Sequence, residues 1–172
     1  RDLEQSLKED PNNLNTFVNL GILEQREGRP EKAVEWYRRA LEIQPGSPIL
    51  LSNLAHARLK TGDLDGALRD YNDALSRDDK LSKAYHGRGI VYAEKGKLQT
   101  AIEDWNQAFD LDKTLIDVPY LRAKAWLQLG HSGKAWKEIN LAAELNCPIS
   151  EVYSLHARFV YTGWIKTGRP DV

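Results

Sequence analysis

Residues 17–45 read FVNLGILEQREGRPEKAVEWYRRALEIQP. Apolar residues recur at helical spacing on both sides of Glu27-Gly28-Arg29, so the stretch divides into two amphipathic helices around a tight turn. Gly28 suits the left-handed position that closes a helix, and Pro30 suits the first turn of the next. The pattern then returns. Gly28, Gly62, Gly96 and Gly130 stand 34 residues apart. Five residues after each comes Ala33, Ala67, Ala101 or Ala135, and seven further on Ala40, Ala74, Ala108 or Ala142. Seven residues before each glycine sits Gly21, Ala55, Gly89 or Ala123. All sixteen positions match, which chance does not produce. Small residues let helix backbones approach, and large ones fill the gaps between: Phe17, Leu51 and Tyr85 on first helices, Tyr37, Tyr71 and Trp105 on second helices. One hairpin cannot bury its own apolar face, so the hairpins are expected to stack into a solenoid.

Composition limits the remaining options. The chain has 172 residues, 41% hydrophobic and 28% charged, which fits a folded soluble protein and argues against disorder. A net charge of −1 lacks the basic footprint of a nucleic-acid binder, and no apolar run is long enough to span a membrane. The lone Cys147 excludes an internal disulfide and reads as a semi-buried structural thiol. The compartment stays open, with cytoplasm weighed slightly above periplasm or secretion. There is no Met, and the closing GRPDV at 168–172 echoes Gly28-Arg29-Pro30-Glu31; both point to an excerpt of a longer array.

With a bulky residue, Leu-Gly, Gly, Ala, Tyr, Ala and Pro at these offsets, residues 17–45 resemble a tetratricopeptide repeat (TPR), and the resemblance extends over 14–149. It implies an all-α, right-handed α-solenoid of tandem helix-turn-helix hairpins. Residues 1–13 then align with the end of a preceding second helix, followed by repeats at 14–47, 48–81, 82–115 and 116–149. The fourth diverges: Pro119 stands for a bulky residue, Arg122 for Leu, Ile139 for the aromatic and Cys147 for the terminal Pro. Pro119 fits a late first turn capped by Asp117. Residues 150–172 read as an incomplete fifth repeat or a capping helix, since Gly168 follows Gly130 by 38 residues instead of 34. That segment carries Tyr153, Phe159, Val160, Tyr161, Trp164 and Ile165, a large apolar surface.

Catalytic patterns are missing. His86-Gly87-Arg88-Gly89 lacks the third glycine and preceding strand of a dinucleotide motif, and there is no HExxH, CxxC, P-loop or GxSxG. No cofactor or metal is expected. His56 and His86 fall on adjacent first helices without a third ligand, His131 reads as a solvated turn residue, and His156 as terminal packing. Trp105 and Trp126 read as packing residues, while Trp36, Trp136 and Trp164 are less determined.

The resemblance implies a non-catalytic protein-interaction scaffold whose first helices line a concave groove. Carried over by offset, groove residues are Asn19, Ile22 and Arg26; Asn53, His56 and Lys60; Lys83, His86 and Ile90; and Tyr120 and Lys124. Asn19 and Asn53 match the asparagine ladder that superhelical members present to a peptide backbone, which Gly87 and Leu121 interrupt. The carboxylate clamp for chaperone tails is matched by Asn53 and Lys83 but missed at Val18, Ile22 and Gly87. The expected partner is a peptide or partner helix with apolar anchors and mild acidity, set by a small basic excess of Arg26, Lys60, Lys83 and Lys124 against Glu94. Two alternatives stand beside it: self-association through the apolar C-terminal segment, and a regulatory or targeting arm of a larger enzyme.

Overall fold

The computed structural model describes residues 13–161. Among them it is an all-α helical repeat of nine helices: α1 (Leu14–Arg26), α2 (Pro30–Ile43), α3 (Pro48–Thr61), α4 (Leu64–Arg77), α5 (Ser82–Glu94), α6 (Leu98–Leu111), α7 (Val118–Gln128), α8 (Ser132–Glu144) and α9 (Ser150–Tyr161). The helix end expected before residue 13, together with Trp164, Ile165 and the closing turn at Gly168, lies outside the described residues. The chain forms two compact units, Arg1–Val91 and Tyr92–Val172, divided within α5.

The glycine turns share one closure. Gly28, Gly62, Gly96 and Gly130 have φ of 70°, 83°, 74° and 78°. In each turn the glycine N–H donates to the carbonyl three residues back, and the next N–H to the carbonyl five back: Gly62 to Leu59 at 3.1 Å and Asp63 to Arg58 at 3.0 Å, for example. This pair satisfies carbonyls that a helix end would otherwise leave orphaned. The next helix then starts at once, and Asp63 caps α4 by accepting from the Gly66 N–H at 2.9 Å.

A fifth copy of this closure carries no glycine. Asn146, at the end of α8, has φ of 52°, and the same two bonds form, Asn146 to Ala143 and Cys147 to Ala142, both 3.0 Å. Asn tolerates the left-handed region better than most residues, which accounts for the substitution. The earlier exits α4 and α6 leave through extended residues, Asp78 and Asp112. After this turn α9 begins at Ser150, four 34-residue periods beyond Leu14. By contrast α7 starts two residues late, at Val118, with Asp117 at the N-cap position and Pro119 in the first turn.

Packing follows the small residues. All eight periodic alanines of the second helices are 0% exposed, and Tyr37, Tyr71 and Trp105 are buried beside them. In the first unit α1 packs on α2, α2 on α3 and α3 on α4. Phe17, Ala40 and Leu50 form one cluster, Ala33, Tyr37, Leu54 and Ala57 the next, and Ala55, Tyr71, Ala84 and Val91 a third. In the second unit α6 packs on α7, α7 on α8 and α8 on α9. There Cys147 is fully buried among Tyr120, Ile139 and Val152, deeper than the semi-buried position expected of it.

Two other side chains depart from expectation. Trp126 is half-buried instead of in the core; Lys134 lies 4.2 Å from its ring centroid and His131 packs edge-on at 5.4 Å. Arg122, which replaces a core Leu, is itself buried. Its guanidinium donates to Glu138 Oε2 at 2.7 and 3.1 Å and to Asn106 Oδ1 at 2.8 Å, and its Cζ lies 5.3 Å from the Phe109 ring centroid. Burial pushes the Glu138 carboxyl up, and Arg122 opposes that shift.

Two sets of substitutions test this packing. At Gly21 an added Cβ would meet the buried Tyr37 ring at 2.6 Å, so Gly21→Ala should destabilise by about 2 kcal/mol through overpacking. At Gly62 the space is open and only the positive φ matters, so Gly62→Ala should lose about 1 kcal/mol in urea denaturation. Arg122→Leu should lose about 3 kcal/mol at neutral pH because it strands Glu138. Glu138 holds its proton more tightly folded than unfolded, so that penalty should shrink as pH falls toward its ordinary value of 4.5.

Candidate functional site

The candidate residues fall in both units. In the first, Asn19 and Arg26 are exposed on α1, while Ile22 between them is half-buried against the Tyr37 and Leu54 cluster. On α3, Asn53 is half-buried and His56 and Lys60 are exposed; on α5, Lys83 is exposed and His86 and Ile90 are half-buried. Ile49, at the start of α3, is 61% exposed.

Lys60 and His86 are both close enough to act on His56. Desolvation by the surrounding protein, then the charges of Lys60 and His86, hold the His56 imidazole below its ordinary value of 6.5. The folded chain therefore binds this proton less tightly than the unfolded chain. Lowering the pH through that value works against folding at this position, and an anion placed here reverses the sign.

Gly87 does not open onto a groove. It is buried, and a Cβ there would fall on the Tyr71 hydroxyl. The gap in the asparagine series is thus filled from behind by a second-helix tyrosine. Tyr37 differs, since its hydroxyl donates to Gln25 Oε1 at 2.7 Å, and burial pushes its phenol up to about 12.

In the second unit Tyr120 is buried and Lys124 is exposed, with the ammonium 5.6 Å from the Tyr120 ring centroid. Both line a recess of about 410 Å³ together with Leu127, Gln128, Glu151, Ser154 and Leu155. The last three went unidentified in the sequence. Their signal was available: they occupy on α9 the offsets that Ile49, Ser52 and Asn53 occupy on α3. Burial first, and Glu151 and Cys147 after it, raise the Tyr120 phenol.

Among the described residues no group of three or more His, Cys, Asp or Glu side chains is placed to hold a metal, and no helix is long and apolar enough to cross a membrane. His156 stacks on Trp136 with centroids 5.2 Å apart, and Trp36 stacks on Phe17 at 5.7 Å.

Paired helices closed by one recurring turn, with side chains displayed from successive first helices, define a helical-hairpin repeat protein. Tetratricopeptide repeat profiles match residues 24–87 and 82–115, together more than half of the chain. The chain belongs to the tetratricopeptide repeat family. Among curated proteins it is similar to small glutamine-rich tetratricopeptide repeat-containing protein 2 of Mycosarcoma maydis, 37% identical over 38% of this chain and 18% of that protein. The chain spans between 9% and 18% of the length of the first curated relatives it matches. Its fold is similar to that of MamA, with a TM-score of 0.73, 24% identity and 84% of each chain covered. It is also similar in fold to the first TPR of Spaghetti (RPAP3) bound to HSP90 peptide SRMEEVD, with a TM-score of 0.64 and 22% identity over 68% of this chain and 93% of that one.

The proton equilibrium of His56 can be measured directly. Its imidazole resonances should titrate below 6.5, and His86→Gln should move the midpoint upward by removing a positive neighbour.

Proposed function

We propose that the chain is a non-catalytic protein-interaction scaffold whose first unit docks an acidic peptide segment with aliphatic anchors. The observation that carries this reading is the exposure of basic side chains on successive first helices, Arg26 on α1, Lys60 on α3 and Lys83 on α5, with Lys60 and His86 both bearing on His56. Ile49, 61% exposed, with half-buried Ile22 and Ile90, supplies apolar contacts. Asn19 and Asn53, one period apart, add amides able to pair with a peptide backbone.

A TPR of similar fold binds an acidic peptide, SRMEEVD, which supports the charge preference. Of the clamp positions for such a tail Asn53 and Lys83 are matched, but Val18 and Ile22 are apolar and Gly87 is buried. Aliphatic anchors therefore replace a grip on the terminal carboxylate.

The test uses a fluorescein-labelled peptide, Glu-Ile-Glu-Glu-Leu-Asp, followed by anisotropy, with SRMEEVD as competitor. Lys60→Glu and Lys83→Glu should each weaken binding by about fivefold, and added salt should weaken it further. Binding takes up a proton at His56, so affinity should rise as pH falls from about 7.5 to about 6. Binding that ignores both charge reversals would place the site elsewhere on the chain.

A further inference from the structure

The recess between α7 and α9 has a chemical character different from the first unit's basic face. Its walls are Tyr120, Leu127 and Leu155, and its rim carries one charge of each sign, Lys124 on α7 and Glu151 on α9. The Lys124 ammonium is held 5.6 Å from the Tyr120 ring centroid, and Glu151 acts on the hydroxyl of the same tyrosine. A cation and an anion thus share the rim of one recess. A volume of about 410 Å³ lies near the small end of the ~300–1,000 Å³ typical of ligand pockets. That gives room for one large side chain and the backbone on either side of it.

Electrostatics then select the occupant. A polyanion would meet Glu151 and a polycation would meet Lys124. A wholly apolar ligand would fill the walls but leave both rim charges unused. We propose that this recess binds a peptide segment in which a leucine-sized apolar residue is flanked by one acidic and one basic residue. The acidic neighbour faces Lys124 and the basic neighbour faces Glu151. The inference rests on the peptide-interaction reading above and assigns a second subsite, with its own sequence preference, to the second unit.

The experiment titrates the full chain, with methyl-labelled leucine and isoleucine, against four blocked peptides: Gly-Asp-Leu-Lys-Gly, Gly-Lys-Leu-Asp-Gly, Gly-Asp-Leu-Asp-Gly and Gly-Lys-Leu-Lys-Gly. One mixed-charge peptide should shift the Leu127 and Leu155 methyls with a Kd about fivefold below the other three, the scale of two rim ion pairs. The double variant Lys124→Glu/Glu151→Lys should prefer the opposite charge order. Both charges are on the rim, so the variant should remain folded, with a modest fall in melting temperature from the lost acidic residue in the first turn of α9. Leu155→Gln, as a second variant, should weaken every peptide while keeping the order of preference. Tightest binding by a singly signed peptide, or an unchanged order in the charge-swapped variant, overturns the proposal. Shifts of Ile22 and Ile90 alone overturn this inference and leave the first unit's site standing. No shift of Leu127 or Leu155 with any of the four peptides overturns this inference too, whereas the first unit's site stands or falls with the acidic peptide alone.

Discussion

The thinness of alanine sets the dimensions of this protein. Each second helix presents two alanines, seven residues apart, and all eight are fully buried. Small side chains there let the backbones approach closely, and the large rings of Tyr37, Tyr71 and Trp105 are buried beside them. Burying each such ring contributes on the order of 1.5–3 kcal/mol relative to leaving it exposed. Gly21 shows how narrow the tolerance is, because the Tyr37 ring already occupies the space of its missing Cβ.

Features fixed by backbone geometry were readable from residue type alone. Glycine at a 34-residue interval between two stretches of helical periodicity leaves few options other than a helical hairpin. Asn146 makes the same turn but reads as an ordinary polar residue, since asparagine visits the left-handed region without being confined to it. The 34-residue frame also puts a start at residue 150, where α9 begins, but the displaced Gly168 leaves that segment without a matching glycine to fix which residues face the groove. Glu151, Ser154 and Leu155 went unnoticed there.

Side-chain environments were less legible, because they depend on what the neighbouring helix supplies. Arg122 stands out as a break in an apolar pattern, yet its burial is balanced by Glu138 and Asn106, each sixteen residues away in sequence. A glycine in the sequence reads as empty space, but Gly87 is covered by a tyrosine from another helix. Trp126 occupies a core offset and still reaches the surface, where Lys134 and His131 pack against it. The first unit's basic residues were recognisable one by one. That Lys60 and His86 both bear on His56 required the fold.

Cys147 gives the second unit an internal clock. It is the only cysteine in the chain, and its sulfur lies in a cluster that joins α7, α8 and α9. A thiol sealed to this extent reacts with an alkylating reagent only during excursions that separate those helices. Its rate of labelling therefore reports how often the second unit opens, without a mutation or an added probe. Any molecule that settles between α7 and α9 would slow that clock.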